Sequence, residues 1–426
     1  MRICVALHSC MDLGGIINHT EQLIGGLKDL GHAVDLKELV YSERTNGQGK
    51  SGSFEHNGPS GIAFSQQKGW NFGRTDRIPY KGSANLMSAR QLLNGYDLVI
   101  WTVPVVPKNK VHLGNADWPA LYDLGPNTKQ IAFIHDGNAR SGSPHLLHIQ
   151  DHLQGVACVH GCALKGSDFL SVPRALILNP QFMPVREYYP WQDKMSGFVN
   201  MQTFKAWKHV HELIESIAYM PRKHPVELRE VAGKGIEYQY MTSVDKCKDA
   251  YFHGEKFGYR KFWDEALDNG MTHHDYWTTA EVDTWLSKAR VLVDPSWSKK
   301  YSQVGGHWNR VVVDAMIRGC VPVAQSRGMG DELFVAGEHY VDLGKARDAA
   351  DYADIILETS HLHASAANHI IGNCQDLLPM FDRKTVAQQV IDLAMGNLPN
   401  TYIGQDDKVV RSKMEDLMFD HYGVLA

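Results

Sequence analysis

Residues 2–36 read RICVALHSCMDLGGIINHTEQLIGGLKDLGHAVDL. Arg2–Leu7 is a short apolar run typical of a buried strand, and the turn-forming segment Cys10–Gly15 follows it. The next segment carries apolar residues at helical spacing: Leu23, Ile24, Leu27 and Leu30. Gly31 ends this helix, and a second strand begins at Ala33. A strand–helix–strand unit of this kind predicts a parallel sheet with a right-handed crossover.

The alternation of strand and helix continues along the chain. Short apolar runs bounded by polar residues, the pattern of buried parallel strands, recur at 97–105, 130–135, 155–160 and 175–178. A segment with several prolines, 180–194, predicts a linker. A second series follows, with strands predicted at 197–201, 226–231, 291–294 and 321–325 and helices at 207–219, 280–289, 310–318, 349–358, 385–395 and 408–419.

The length of 426 residues exceeds one ordinary hydrophobic core, so two domains are expected. We predict an N-terminal Rossmann-like domain at 1–185 and a C-terminal Rossmann-like domain at 195–395. The predicted fold class is therefore α/β, with two facing domains and a cleft between them. Residues 396–426 are predicted to form a helical tail that packs back on the first domain.

Composition limits the class of protein. Apolar residues make up 43% and charged residues 21% of the chain, as in soluble globular proteins. A net charge of -5 excludes a protein that coats nucleic acid by charge alone, although it leaves room for a local basic patch. The seven cysteines form no CxxC pair, which predicts reduced thiols in a cytoplasmic protein. With neither a signal-peptide pattern nor an apolar stretch near the roughly 20 residues that span a bilayer, we expect no membrane partner. We also expect the protein to act as a monomer.

Residues 42–90 interrupt the α/β pattern, and 42–85 read as a long loop rich in Gly, Ser and Asn. The segment holds seven basic and three acidic residues, with Trp70, Phe72 and Tyr80 between them. Basic side chains contact phosphates, and aromatic rings stack on bases or wedge beside them. Candidate DNA contacts here are Arg74, Arg77 and Lys81. The alternative is a mobile, soluble loop.

Polar residues at predicted strand ends are the candidate site residues, because the carboxyl ends of parallel strands line the ligand crevice of an open sheet. In the first series, Gly14-Gly15 either lets the backbone approach a ligand or makes a plain tight turn. His135 and Asp136 end a predicted strand and are suited to orient an acceptor hydroxyl and take its proton. A polar strand end with a capping aspartate is the alternative.

In the second series, Lys205 and Lys208 follow the first strand, where lysines neutralise a diphosphate leaving group or begin a solvated helix. The loop after the strand at 321–325 is rich in glycine and suits phosphates or sugar hydroxyls. Its candidate ligands are Ser326, Gly328 and Gly330.

An apolar helix at 310–318 carries one carboxylate, that of Asp314. An unpaired charge on a buried face is costly, so a partner is expected. A ribose diol would satisfy it, and so would Arg310 or Arg318.

These motifs, in this order, resemble the GT-B glycosyltransferases of the GT4 type. The class has a glycine pair followed by a helix and Gly-His-x-Val, found here at 14–15 and 31–34. Its Trp-Lys, Pro-Ser and Gly-x-x-Pro-Val motifs match residues 207–208, 295–296 and 319–323. Within the class the chain is most similar to the T-even bacteriophage DNA α-glucosyltransferase type, which shares the MRIC start, a segment like 97–104 and the His-Asp pair.

The resemblance implies a retaining, metal-independent transfer from a UDP-sugar that serves as co-substrate, with no cofactor required. Lys208 would bind donor phosphate, Asp314 the ribose, and the glycine loop the sugar or phosphates. It adds Gly15, Gly233, Ser296 and Arg310 to the donor ligands and Arg140 to the acceptor contacts. The acceptor would be a 5-hydroxymethylated or already glycosylated pyrimidine in double-stranded DNA, in the cytoplasm of a phage-infected cell.

The chain departs from the GT4 pattern at three places. The arginine that the family has a few residues before its lysine is not cleanly present, and Lys205 is the candidate replacement. The family carries two glutamates eight positions apart, and here those positions hold Gly306 and Asp314. The Lys-Gly pair is Lys208-His209. Two alternatives therefore stay open: a transferase acting on a cell-surface polysaccharide or lipid-linked glycan, and an inactive relative that binds nucleotide-sugar or DNA.

Overall fold

A computed structural model describes residues 1–8, 15–40, 62, 66, 71–79, 83–104, 118–135, 144–183, 188–202, 208–220, 226–232, 235–237, 240–242, 251–252, 255–256, 260–274, 277–297, 310–326 and 333–399. The chain divides into two compact units, Met1–Met183 with Met380–Ala426, and Pro184–Pro379. The helix predicted at 408–419 lies outside the described residues.

The first unit contains a seven-stranded sheet in which all strands are parallel. The strands are β1 (Arg2–His8), β2 (Ala33–Val40), β3 (Thr75–Pro79), β4 (Leu98–Val103), β5 (Lys129–Ile134), β6 (Gly155–Cys158) and β7 (Arg174–Leu176). Their order across the sheet is β3-β2-β1-β4-β5-β6-β7. Its helices are α1 (Gly15–Asp29), α2 (Ser83–Leu93), α3 (Gly161–Gly166) and α10 (Arg383–Met395).

Both faces of this sheet are covered, which explains why its strands read as continuous apolar runs. Successive residues of a strand point to opposite faces. Ile3 and Val5 of β1 accordingly pack in the core cluster that contains residues of α1 and α10, whereas Cys4 and Ala6 pack in the cluster that contains residues of α2.

Part of the predicted loop at 42–85 is regular structure. Residues 75–79 form β3, which pairs in parallel with β2 from Leu36↔Thr75 to Val40↔Pro79, and α2 begins at Ser83. The sequence TDRIP has no apolar run because an edge strand is only partly buried. Pairing with β2, rather than its own pattern, makes this segment a strand.

Helix α10 belongs to the first unit, whereas the sequence places its residues at the end of the second domain, 195–395. The helix packs against α1 at Gly26, where an added Cβ would collide with the Arg383 carbonyl oxygen. Arg383 also donates a 2.7 Å hydrogen bond from Nε to the Asp29 carboxylate. A glycine thus allows two helix backbones to approach each other closely.

The second unit contains a six-stranded parallel sheet. Its strands are β8 (Met195–Met201), β9 (Leu228–Ala232), β14 (Thr272–His274), β15 (Ala289–Asp294), β16 (Val321–Ala324) and β17 (Val341–Asp342). Their order across the sheet is β14-β9-β8-β15-β16-β17. Two small antiparallel pairs lie between β9 and β14 in sequence: β10 (Gly235–Glu237) with β11 (Tyr240–Thr242), and β12 (Tyr251–Phe252) with β13 (Glu255–Lys256).

The helices of the second unit are α4 (Val210–Tyr219), α5 (Arg260–Asp268), α6 (Thr279–Lys288), α7 (Arg310–Ile317), α8 (Ala349–Ser360) and α9 (Ala364–Leu377). The sequence did not predict α5, α9, β14 or β17. Helix α6 begins with a full capping box, in which the Thr278 hydroxyl accepts from Glu281 N–H and the Glu281 carboxylate accepts from Thr278 N–H.

A buried lysine ties helix ends together in this unit. Lys194, at the end of the predicted linker, donates from Nζ to the carbonyls of Leu286, Ser287, Ala289 and Arg318 at 2.8–3.2 Å. Burial lowers the pKa of this ammonium group. The carbonyls at the C-terminus of a helix have no hydrogen-bond donor within the helix. The Lys194 ammonium group supplies donors to the carbonyls at the end of α6 and to that of Arg318, which follows α7.

Candidate functional site

Each sheet has a topological switch point where the strand order reverses. The order 3-2-1-4-5-6 occurs in both units, with the reversal between β1 and β4 in the first and between β8 and β15 in the second. In open α/β sheets, ligands bind outside the carboxyl ends of the strands at this point.

At the switch point of the first unit, α1 packs against the end of β4. The Thr20 hydroxyl, one turn into α1, lies 3.2 Å from the Thr102 hydroxyl, and both residues are buried. Gly15 is the first residue of α1 and is exposed, and no atom of the described residues lies within 4 Å of the position that a Cβ would take there. Gly14 lies outside the described residues.

His135 follows the last residue of β5, as predicted, and contacts a second histidine. The His19 ring of α1 meets it edge to face, with centroids 4.6 Å apart and planes 89° apart. His19 is fully buried and its Nδ1 donates to the Asn179 side-chain oxygen at 2.9 Å. His19 therefore fixes one side of the His135 ring, while Asp136 and Arg140 lie outside the described residues.

Neither His19 nor Asn179 was among the residues predicted from the sequence. The signal for His19 was its spacing, since it lies four residues before Leu23 on the apolar face of α1. No feature of the sequence around Asn179 indicates its role, because the tertiary fold alone brings it next to His19.

The switch point of the second unit holds a buried polar network that joins the ends of β8 and β15. Gln202, just after β8, donates from Nε2 to the Asp294 carboxylate and accepts a 2.5 Å hydrogen bond from the Ser296 hydroxyl. The Asp294 carboxylate also accepts from the Ser296 backbone N–H at 3.1 Å. Of these residues, Ser296 alone was predicted from the sequence as a site residue.

Helix α4 begins beside this network, and Lys208 lies two residues before its first residue. His209 occupies the N-cap position with φ of 50°, the left-handed region, and it is the one non-glycine residue with positive φ among those described. Its ring stacks on Trp297 with centroids 4.8 Å apart and planes 13° apart, and its Nδ1 donates to Glu212 at 2.9 Å. Lys205 and Gly233 lie outside the described residues.

His211 follows in the first turn of α4. Burial, the largest effect, lowers its pKa to about 4, with Glu212 acting in the opposite direction. The ring is therefore neutral at physiological pH.

The Asp314 carboxylate of α7 lies between two arginines. Arg310 Nε is 3.9 Å from one of its oxygens and Arg318 Nη1 is 3.8 Å from the other. Arg318 also donates from Nε to Asp283 at 2.8 Å. This is the arginine alternative that the sequence left open, and both contacts are longer than hydrogen bonds, so the oxygens keep room for another donor.

Ser326 follows β16 and is held by the next strand. Its backbone N–H donates to the Asp342 carboxylate at 2.9 Å, and the same oxygen accepts from the Gly344 N–H at 2.7 Å. Gly328 and Gly330 lie outside the described residues.

The two described candidates for DNA contact differ in their surroundings. The Arg74 side chain is 72% exposed and only 3.5 Å from the Asp76 carboxylate. Arg77 instead forms a 3.1 Å ion pair with Glu38, whose side chain is 1% exposed. Arg77 therefore has a structural partner within the first sheet, and Lys81 lies outside the described residues.

None of the helices in the described part of the chain has the length and apolar character needed to cross a bilayer.

Comparison with known proteins gives fold matches only. No protein-family model and no curated protein matches the sequence. A structure of HepE from Anabaena in complex with UDP and glucose matches with a TM-score of 0.62 and 14% identity, covering 93% of this chain and 100% of that one.

Two further solved structures match equally well. An alpha-glucosyltransferase in complex with UDP and a 13-mer DNA containing an HMU base has a TM-score of 0.63 and 13% identity over 93% of this chain and 99% of that one. A TarM mutant from S. aureus, in complex with fondaparinux, alpha-GlcNAc-glycerol and UDP, has a TM-score of 0.63 and 11% identity over 92% and 99%.

The chain therefore has the α/β fold of GT-B glycosyltransferases, as its sequence motifs predicted. The narrower likeness to the phage DNA α-glucosyltransferase type stays a prediction.

Proposed function

We propose that this protein is a glycosyltransferase that moves a sugar from a UDP-sugar to the hydroxyl of an acceptor. The observation that carries the proposal is the switch point of the second unit, which brings Lys208, the start of α4 and Ser296 to the carboxyl edge of a Rossmann-order sheet. A cation and a helix N-terminus at such an edge suit a diphosphate.

In this proposal the second unit binds the donor. Lys208 and the first-turn N–H groups of α4 would stabilise the two negative charges that develop on the departing UDP. Asp314 would accept hydrogen bonds from the ribose hydroxyls while Arg310 and Arg318 hold its carboxylate. Residues outside the described part of the chain complete the proposed set of donor ligands: Lys205, Gly233, Gly328 and Gly330.

The first unit would hold the acceptor at His135. The bond between the anomeric carbon and the diphosphate breaks, a bond to the acceptor oxygen forms, and the hydroxyl proton passes to His135 or Asp136. The edge-to-face contact with His19 would keep the His135 ring in one orientation. The family resemblance supports retention of configuration without a metal or other cofactor.

For the acceptor we propose a 5-hydroxymethylated or already glycosylated pyrimidine in double-stranded DNA, in a phage-infected cell, with the enzyme acting as a monomer. The basic residues of 42–90 and the exposed Arg74 support this choice. The alternative is a polysaccharide or lipid-linked glycan, because HepE and TarM match the fold as well as the DNA-bound enzyme does. An inactive binding relative is the third possibility.

One experiment separates these three functions. The protein is incubated with a panel of UDP-sugars and either DNA that contains hydroxymethyl-pyrimidines or a set of glycan acceptors, and the products are weighed after digestion. A hexose or pentose mass increase on the nucleoside supports the DNA acceptor, and one on the glycan supports the alternative. UDP-sugar binding without any product identifies a binding protein. If the protein neither binds a UDP-sugar nor forms a product, the proposal is refuted.

A further inference from the structure

Three side chains of the types that ligate metals converge at the start of α4. His209, His211 and Glu212 each offer a ligand atom, and these atoms all lie within 4.8 Å of one another. The His209 ring is buried, and the other two side chains are partly buried. No metal ligands were predicted from the sequence.

The convergence follows from the backbone of His209. Residues two apart on a regular helix point in different directions, so His209 and His211 would diverge if α4 began one residue earlier. The left-handed φ of 50° turns His209 back towards the helix, and the two ring centroids are 5.4 Å apart. A non-glycine residue in this region costs about 1–2 kcal/mol, and such strain clusters at functional sites.

The spacing suits a first-row transition metal. In a tetrahedral zinc site with metal–ligand bonds near 2.1 Å, ligand atoms lie about 3.4 Å apart. The His209 Nδ1 to Glu212 Oε1 distance is 2.9 Å and the widest separation in the group is 4.8 Å, so the present positions bracket that value.

We propose that His209, His211 and Glu212 form a binding site for one divalent transition-metal ion of the zinc, cobalt or nickel type. Two imidazoles and a carboxylate are the ligands these ions prefer, and hard oxygen-seeking ions such as magnesium are disfavoured. The Trp297 stack holds the His209 ring in orientation, as outer partners of metal ligands do.

The site has consequences that do not depend on transferase activity. A metal at His209 Nδ1 would take the place of the hydrogen that this atom now donates to Glu212, so the hydrogen bond would be exchanged for two metal bonds. Three protein ligands leave one tetrahedral position open to water or another oxygen donor. Because the ion ties the N-cap to the first turn, it stabilises the folded unit by mass action.

The test is a titration of the untagged, EDTA-treated protein with Co²⁺ and Zn²⁺ in the absence of nucleotide. We expect a visible tetrahedral Co²⁺ band, one bound ion in calorimetry, and a Zn²⁺-dependent rise in Tm. His211→Asn and Glu212→Gln should each weaken this binding at least tenfold.

His209→Gly is the decisive variant because glycine adopts the left-handed conformation without strain, which offsets part of the packing lost with the buried ring, so the unit should stay folded while losing the site. His369→Asn is the matched control, since His369 forms an exposed pair with Glu338 at 3.1 Å elsewhere in the same unit. Wild-type binding that survives in His209→Gly and His211→Asn would overturn the proposal, as would the absence of any Co²⁺ band. Neither result bears on transferase activity, which the product assay measures separately.

Discussion

The imidazole of His209 lies flat on the indole of Trp297, with ring centroids 4.8 Å apart and planes 13° apart. His209 follows β8 and Trp297 follows β15, so the stack joins the two strands that part at the switch point of the second unit. The GT4 sequence pattern, which this chain resembles, has glycine where this chain has His209. The His209 ring is therefore buried within the packing of the proposed donor site and does not lie on its surface.

Lys208 is the first residue to test. Lys208→Met should lower turnover about 10²–10³-fold, the usual effect of removing one group that stabilises a leaving anion, while thermal unfolding stays unchanged. The measurement is the rate of UDP release with the best donor–acceptor pair. Lys288→Met is the matched control, because Lys288 lies at the amino end of β15, on the opposite edge of the sheet. Near-normal rates in Lys208→Met would remove this residue from the mechanism.

Arg74 and Arg77 should respond differently to substitution. Arg74→Glu should weaken DNA binding, most strongly at low salt, without loss of stability, because its side chain is exposed. Arg77→Ala should instead lower the free energy of unfolding by about 1–3 kcal/mol, since it removes the partner of the buried Glu38. DNA binding measured as a function of salt concentration checks the first prediction, and urea unfolding checks the second. If Arg74→Glu leaves DNA affinity unchanged at every salt concentration, this arginine does not contact the acceptor.

The packing of α10 on α1 depends on Gly26. Gly26→Ala drives a methyl group into the Arg383 carbonyl oxygen, so we expect a loss of about 3 kcal/mol or more in the free energy of unfolding. Gly372→Ala is the control, because no atom of the described residues lies within 4 Å of its Cβ position in α9, and it should be neutral or stabilise by about 0.5–1 kcal/mol. Equal stabilities for the two variants would contradict the observed contact.

Lys194 should be essential to the stability of the second unit. Lys194→Met leaves the carbonyls of α6 and of Arg318 without their shared donor, and we expect a loss of about 2–4 kcal/mol. The exposed Lys288→Met should change stability by less than about 0.5 kcal/mol. Urea denaturation followed by tryptophan fluorescence measures both, and similar values would mean that the buried ammonium group contributes little.

Buried thiols should make the protein sensitive to alkaline pH. Burial raises the pKa of Cys158 to about 11 and that of Cys374 to about 12, from 9.0 in the unfolded chain. Their contribution to stability is complete below pH 9.0 and is lost as the pH rises towards 11–12, because only the unfolded chain ionises there. A pulse of iodoacetamide at pH 8 should leave both unmodified until urea unfolds the protein. Rapid labelling of either thiol in the native state would contradict their burial.

Much of the fold was predictable because buried parallel strands are continuous apolar runs and their helices have an apolar period. The strands from β1 to β7, apart from β3, and the main strands of the second sheet, apart from β14 and β17, fall within a few residues of their predicted positions. The order of these runs predicted two α/β units, and motifs at strand ends indicated His135, Lys208 and Ser296. The local sequence was sufficient to predict a strand or helix wherever burial of that element requires a pattern of apolar residues.

Tertiary structure alone decided the remaining features, because each depends on residues that are distant in sequence or on a single backbone angle. Residues 75–79 form a strand because they pair with β2. Helix α10 belongs to the first unit because Gly25 and Gly26 of α1 allow it to pack closely on that helix. Asn179 reached His19 across 160 residues of sequence. The His209 cluster formed because one left-handed residue turns its side chain towards His211 and Glu212, a geometry that hydrophobic periodicity does not encode.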